Sequence, residues 1–368
     1  MKILRAYKTK LVTNNKEDGY FLACAGFSRF VYNWGLAEWK AEYEAGGKPS
    51  AYSLKKRFNA TKDAEFPWVR EYPYVIEESA FDNVGLAFQN FFRRVKAGDA
   101  KAGYPKFKSR HKTTPAFTLR DNITVEKYRI KLPRIGWVRL AESGYLPTKN
   151  AKILSANISR RGGDWYISLQ VEQEIPEPES ATGEPIGVDM GVKSLAVISD
   201  GTVFDNPGTL RQYERKMARL QREHSRRQKG SKNRAKTTVK IARLHKKIAD
   251  TRSHTLHNIS RHVTAKTKPS AVVVEDLHVK GMVKNHKLAK AVSDASMGEL
   301  RRQIEYKAAW NGVEVVVADR WYPSSKTCSG CGNVKDLTLA DRVYTCPVCG
   351  LVMDRDLNAA VNLSRLAA

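Results

Sequence analysis

Apolar residues recur along this chain at two periods, and the positions where the period changes divide it into segments. The first dozen residues predict a strand, with Ile3, Ala6 and Tyr7 at inward positions. From about Lys16 to Lys96 the pattern becomes helical and aromatic. Phe21, Leu22, Phe30, Trp34 and Trp39 mark its first half, and Val84, Phe88, Phe91 and Val95 follow at spacings of four and three. This stripe reads as the core of a helical bundle rather than a base-stacking surface. After Pro115 the period falls to two. Phe117/Leu119, Tyr128/Ile130/Leu132 and Trp165/Ile167/Leu169/Val171 each alternate with polar residues, and Gly162-Gly163 is a hairpin signal. These strands predict a small barrel or sandwich, completed by the N-terminal strand, into which the helical segment is inserted.

A Pro/Glu-rich stretch over 175–185 is the clearest boundary. Beyond it the pattern predicts strands at 186–190 and 194–199, a turn at Asp200-Gly201 and a third strand at Thr202–Phe204. Tyr213, Met217 and Leu220 make one helical stripe and Ile241, Leu244 and Ile248 another, joined by a flexible Ser225–Lys236 stretch around Gly230. A strand at 271–275 follows, then a helix starting near Ser293. Ser296 and Glu299 read as its capping box, Met297, Leu300, Ile304 and Ala308 as its buried face, and Asn311-Gly312 as its stop. A strand at 314–318 and a short helix from about Asp356 complete the reading, and no internal repeat is present.

Composition adds the partner. The 368 residues are long enough for two or three domains, and a hydrophobic content of 42% is that of a globular chain. With 64 Lys+Arg against 38 Asp+Glu, the net charge of +26 calls for a polyanion. Residues 211–262 hold 17 of those cations and three acids, more than half the net charge. They read as a helical hairpin lying along a phosphate backbone, with Arg226, Arg227 and Lys229 at its turn. Arg93, Arg94, Lys106, Lys108 and Arg110 form a second candidate for phosphate contact. Five of the eight histidines fall within 211–262, lack partners at ligand spacing and are assigned to the basic surface. No apolar run approaches the roughly 20 residues that span a bilayer, and the start has no signal-peptide core, so a cytoplasmic protein without a membrane partner is expected.

Two groups of residues carry chemistry. Asp189 ends Ile186-Gly-Val-Asp, Glu275 ends Ala271-Val-Val-Val-Glu, and Asp356 opens Asp356-Leu-Asn-Ala-Ala. An acid closing one strand is most often a turn residue. Two acids on apolar strands, joined by a third beside a metal knuckle, point to phosphodiester hydrolysis by two Mg²⁺, which favour hard oxygen ligands. Asp356 is favoured over Asp354 because it begins the helix. The spacing Cys328-x2-Cys331-x14-Cys346-x2-Cys349 matches a four-cysteine zinc ribbon, with glycines beside the thiolates. All four positions are protein ligands, so one structural Zn²⁺ is expected. Cys24, amid Phe21, Leu22 and Phe27, reads as a small buried hydrophobe.

These motifs together resemble TnpB, the RNA-guided nuclease family of insertion-sequence transposons and a relative of type V CRISPR effectors. The resemblance rests on Gly187-Val-Asp-Met-Gly-Val-Lys193, Val273-Val-Glu-Asp-Leu277, Pro323-Ser-Ser-Lys-Thr-Cys-Ser-Gly-Cys-Gly332 and Asp354-Arg-Asp-Leu-Asn-Ala-Ala-Val-Asn362. Ser293-Asp-Ala with Arg302–Trp310, Phe30-Val-Tyr-Asn-Trp34 and Gly103-Tyr-Pro-Lys-Phe-Lys108 extend it over nearly the whole chain. It implies a multidomain α+β fold with Asp189, Glu275 and Asp356 as catalytic triad. A β-barrel wedge domain (1–14 and 112–178) would carry a helical recognition insertion (15–111). A RuvC-like, RNase H-like nuclease domain (184–324 and 353–368, with the basic hairpin at 211–262) would hold a zinc-binding domain at 325–352. The implied partners are a guide RNA derived from the transposon end and a double-stranded target DNA, cut beside a short flanking motif that the protein itself reads. Tyr52 and Lys56 are candidates for that reading. A longer C-terminal tail is not expected, since the chain stops six residues after Asn362. The competing expectations are a cleavage-deficient guided repressor, a guide-independent RuvC-like nuclease and a transposase. The intact set of three acids, the additional β and helical apparatus, and the lack of a histidine-flanked tyrosine nucleophile argue against them in turn.

Overall fold

The structure is a computed structural model that describes residues 1–338 and 340–367. The chain forms two compact units, Met1–Pro176 and Glu177–Ala368, divided within the Pro/Glu-rich stretch.

In the first unit, β1 (Lys2–Val12) is followed by α1 (Asn15–Glu44), α2 (Ala51–Glu65), a 3₁₀ turn at Pro67–Glu71 and α3 (Tyr74–Lys96). Six strands follow: β2 (Ala116–Leu119), β3 (Thr124–Val125), β4 (Arg129–Leu132), β5 (Gly136–Leu140), β6 (Ala151–Arg161) and β7 (Asp164–Glu174). They form one antiparallel sheet in the order β2-β6-β7-β1-β5-β4-β3. The N-terminal strand therefore lies in the middle of the sheet, not at its edge. Ile3, Thr9 and Leu11 are buried, so the odd positions of β1 face inward and Ala6 faces the other way. Asn14 and Glu17 form a reciprocal capping box that starts α1. Beside it the indole N–H of Trp165 donates to Asp18 at 2.7 Å, and Phe21 meets the Trp165 ring edge-on. Helices and sheet share one apolar core, so the helical insertion has no separate core of its own. Within the expected stripes, Leu22, Val95 and Tyr128 are exposed instead of buried. Strand β6 escaped the alternation argument because its register shifts between Ile153 and Ser155, which breaks the period of two.

The second unit is built on β8 (Ile186–Asp189), β9 (Ser194–Ile198) and β10 (Val203–Asp205), then β11 (Ala271–Glu275) and β12 (Glu314–Ala318), in the order β10-β9-β8-β11-β12. The first three are antiparallel, whereas β8, β11 and β12 run parallel. Between β10 and β11 the chain makes α4 (Thr209–Arg226) and α5 (Lys232–Arg261), then a π-turn at His262–Lys266. The two expected stripes pack together as a small core of this hairpin, and its turn is shorter than expected, since α5 already begins at Lys232. The short helices α6 (Val279–Met282) and α7 (Ala289–Ala295) lead to α8 (Met297–Trp310). The Ser296–Glu299 capping box is not formed. Ser296 sits in the left-handed region with φ 52° and makes no side-chain cap, and Glu299 accepts from Arg302 and Gln303. The hairpin β13 (Val343–Thr345) and β14 (Val352–Asp354) runs directly into α9 (Arg355–Ser364).

The apolar run of β11 is buried on both faces, as a central parallel strand requires. Val272 and Val274 pack with Leu256 and Ile259 of α5 and Leu300 and Ile304 of α8, while Val273 packs with Leu363 of α9. On β8, Gly187 faces α9 so closely that a Cβ there would lie 1.9 Å from the Ala360 carbonyl oxygen and 2.6 Å from the Ser364 nitrogen. Only glycine allows this backbone-on-backbone approach. Gly187→Ala should therefore destabilise the second unit by about 1–3 kcal/mol or more in urea denaturation, and an unchanged midpoint would show that α9 is free to move away.

Candidate active site

The parallel register pairs Val188 with Val274, so Asp189 and Glu275 follow next on adjacent strands at their carboxyl ends. The third acid arrives on α9. Asp354 caps that helix, its Oδ1 accepting from the amides of Asp356 at 2.8 Å and Leu357 at 3.1 Å. Asp356 lies in the first turn, where its Oδ1 accepts from the Arg355 guanidinium at 2.8 and 3.0 Å. The three acids lie close enough to act on one another electrostatically. The Asp189 carboxyl is pushed up from 3.8 to about 8 by burial, then by the charges of Glu275 and Asp356, with Arg355 acting in the opposite direction. Among the described residues these acids do not form a group whose ligand atoms all lie within 4.8 Å of one another, as the cysteines do. A divalent cation beside Asp189 would lower the penalty on ionising it.

Glu275 accepts from the Ser324 hydroxyl at 2.6 Å, and Ser324 itself is buried. Two buried asparagines one turn apart on α9 hold the segment that carries Ser324. Asn362 donates to the carbonyls of Ser324 at 2.8 Å and Thr327 at 2.6 Å. Asn358 donates to Thr327 at 2.7 Å and accepts from the Ser329 amide at 2.9 Å. Sequence reasoning placed these residues inside a motif without giving them a role. The i,i+4 spacing of two asparagines on one helical face was the available signal.

The four cysteine sulfurs lie within 4.8 Å of one another, with Cys328–Cys349 at 3.6 Å and Cys331–Cys346 at 3.5 Å. That donor set fits tetrahedral zinc. Amides point at the sulfurs: Gly330 donates to Cys328 at 3.3 Å, and Val348 and Cys349 donate to Cys346 at 3.4 and 3.5 Å. The Cys349 amide, first among these influences, helps hold the Cys346 thiol down at about 6, favouring the thiolate that binds metal. Cys24 is fully buried, its thiol pushed up to about 12 by desolvation.

The expected phosphate contacts divide into exposed groups and groups used by the fold. Tyr52 (79% exposed), Lys56, Arg93, Lys106, Arg226 and Lys229 face solvent. Arg94, also exposed, ties the end of α3 to Asp99 at 2.8 Å and the Lys101 carbonyl at 3.0 Å. Lys108 is half-buried, with its ammonium 3.7 Å from the Tyr32 ring centroid and its pKa lowered by desolvation. Arg227 pairs with Glu223 and donates to the Asn233 carbonyl, closing the hairpin turn. Among the histidines assigned to the surface, His262 packs edge-on against Phe204, with centroids 5.3 Å apart. Among the described residues no helix is long and apolar enough to cross a membrane.

Residues 168–286 match a family profile described as a probable transposase, 298–363 one described as a Cas12f1-like TNB domain, and 1–48 one described as a helix-turn-helix domain. The last of these segments contains β1 and the single long helix α1. A protein of Streptomyces pristinaespiralis, named "Putative RNA-guided DNA endonuclease", is 36% identical over 376 aligned positions, covering 98% of this chain and 89% of that one. InsQ of Escherichia coli K12, similarly named, is 33% identical over 387 positions, covering 99% and 92%. In three dimensions the chain resembles Cas12f1 from a cryo-EM complex with sgRNA and target DNA, with a TM-score of 0.57 at 15% identity and 99% coverage of both chains.

The raised Asp189 pKa sets a pH dependence. Its folded value of about 8 exceeds the ordinary 3.8, so the metal-free fold favours the protonated acid and loses that contribution as pH rises between those values. A divalent cation such as Mg²⁺ would bind the ionised form. Its stabilisation of the melting temperature should be larger at pH 8 than at pH 6 and should disappear in Asp189→Asn. A pH-independent shift would contradict the assignment.

Proposed function

The chain belongs to the TnpB family, and from that membership, together with the carboxylate site, we propose that it is an RNA-guided DNA endonuclease. Its guide would be an RNA derived from the transposon end, and its substrate a double-stranded target beside a short flanking motif. The observation that carries the nuclease reading is the effect of Glu275 and Asp356 on a half-buried Asp189. Two Mg²⁺ held by these three acids would polarise the phosphodiester and lower the pKa of an attacking water. The protein's own contribution is placement. The parallel β8–β11 register aligns two acids, the Asp354 cap orients the first turn of α9, and Ser324 fixes the Glu275 carboxylate through an O–H···O bond.

The mixed five-stranded sheet, with acids on β8, β11 and the following α9, supports reading 184–324 and 353–368 as a RuvC-like, RNase H-like domain. The cysteine cluster within 325–352 supports one structural Zn²⁺. That ion would hold the knuckle that Asn358 and Asn362 join to the catalytic helix. The antiparallel sheet of 1–14 and 112–178 would be the wedge, and 15–111 the recognition helices packed on it. Guide and target backbones would lie on exposed cations, among them Arg226 and Lys229 on the hairpin, Arg93 in the last turn of α3 and Lys106 beyond it.

The test uses protein purified with its co-expressed guide RNA. Asp189→Ala, Glu275→Ala and Asp356→Ala should each abolish cleavage of a matched target, by at least about a thousandfold on the scale of losing a group that acts in the transition state. RNA and DNA binding should persist, and EDTA should stop the wild-type reaction with Mg²⁺ restoring it. Asp354→Ala should lose part of its activity through the missing cap. An active Asp356→Ala beside a dead Asp354→Ala would reverse that assignment, and RNA-independent cutting would remove the guide.

A further inference from the structure

The first turn of α9 carries a cation that the helix itself does not favour. Arg355 follows the Asp354 cap directly, and its amide donates to the Arg342 carbonyl at 2.9 Å, so the backbone is fixed on either side of it. A positive charge at this end of a helix opposes the helix dipole. Neighbours one step apart on a helix also do not ordinarily face each other. Arg355 nevertheless turns back onto Asp356, its Nε and Nη2 both donating to Oδ1, at 3.0 and 2.8 Å. The two side chains are 15% and 23% exposed, so the pair is not a solvated surface contact.

The charges around this pair are unequal. Glu275, Asp356 and Asp354 each push Asp189 toward its protonated form, and Arg355 is the one cation among its strongest neighbours. The Ser324 hydroxyl on Glu275 brings a hydrogen bond without a charge. Arg355 also helps hold the Asp341 carboxyl down, after the Thr338 hydrogen bonds and Lys335, so it faces an acid of the cysteine-bearing segment as well. The oxygens of the site do not all come within 4.8 Å of one another, and Asp356 is the acid that a guanidinium already holds.

We propose that Arg355 is a resident counter-ion of the carboxylate site, holding Asp356 with its own charge until a divalent cation displaces it. The inference rests on the nuclease reading above and deepens it by naming the residue that sets the metal requirement. A guanidinium stays charged in any protein setting, so it cannot yield by losing its proton as a lysine can. A metal that takes the Asp356 oxygen must push the guanidinium aside or bind beside a like charge. In the metal-free protein the same guanidinium limits repulsion among the acids. Arg355 is therefore a positioning residue that acts through Asp356.

The test titrates Mn²⁺ into the full-length, RNA-free chain in metal-scavenged buffer. Free Mn²⁺ is read by electron paramagnetic resonance, with Asp189→Asn as the blank. Arg355→Gln, or Arg355→Met to keep the buried stem, should bind Mn²⁺ at least about fivefold more tightly, the size of one unit-charge repulsion at ~4 Å even at the dielectric of water. Arg355→Lys keeps a charge that can leave as a proton and should fall between wild type and the neutral variants. Without added metal the neutral variants should melt below wild type, and Mg²⁺ should raise them by more than it raises wild type. Half-maximal cleavage by the guide-bound complex should need correspondingly less Mg²⁺. Unchanged Mn²⁺ affinity in both neutral variants would overturn the proposal. Weaker affinity would overturn it too, by making the guanidinium a support for Asp356 as a metal ligand. So would a lowered melting temperature that Mg²⁺ does not restore, which would leave Arg355 a purely structural role. A wild-type complex that fails to cut its matched DNA would sink the nuclease reading, while the Mn²⁺ titration would still decide the role of Arg355.

Discussion

Mutual repulsion among half-buried carboxylates is the constraint around which the second unit is organised. Asp189 is forced toward its protonated form by burial and by two neighbouring acids, an arrangement that costs stability unless a cation joins it. The elements that bring the acids together are tightly packed. Two β-branched strands are locked in parallel register, and α9 is pressed against β8 at a point where only Gly187 leaves room. Relaxing any of these would relieve the repulsion and dissolve the site.

The same helix explains why a cysteine cage belongs to this fold. Asn358 and Asn362 use their amides to hold the carbonyls of Ser324 and Thr327, and Ser324 in turn holds Glu275. The first knuckle begins at Cys328, and β14 of the second feeds directly into the Asp354 cap. A metal at the four sulfurs would therefore fix both ends of the segment that aims Asp356 and Ser324. Its role would be positional, with no open coordination site needed for substrate.

The acids were legible because a charged residue closing a run of buried β-branched residues is costly without a reason, and the run occurs twice. The cysteine cage was legible from spacing alone. The preference for Asp356 over Asp354 rests on helix geometry: Asp354 serves the cap and Asp356 lies two residues on, in the first turn. Less was legible where tertiary context overrode a local signal. Ser296 has the sequence of an N-cap, but its left-handed backbone and the ion pair of Glu299 with Arg302 remove the box. Lys108 and Arg227 carry the charge expected of phosphate contacts, yet one is folded over Tyr32 and the other closes a turn.

Anomalous scattering from crystals soaked in Mn²⁺ as a stand-in for Mg²⁺ tests the central claim most directly. Peaks should appear where Asp189, Glu275 and Asp356 converge, within about 2.0–2.4 Å of their oxygens as hard divalent ions require, and should vanish in crystals of Asp189→Asn. Manganese bound elsewhere, with these three acids left empty, would contradict the account.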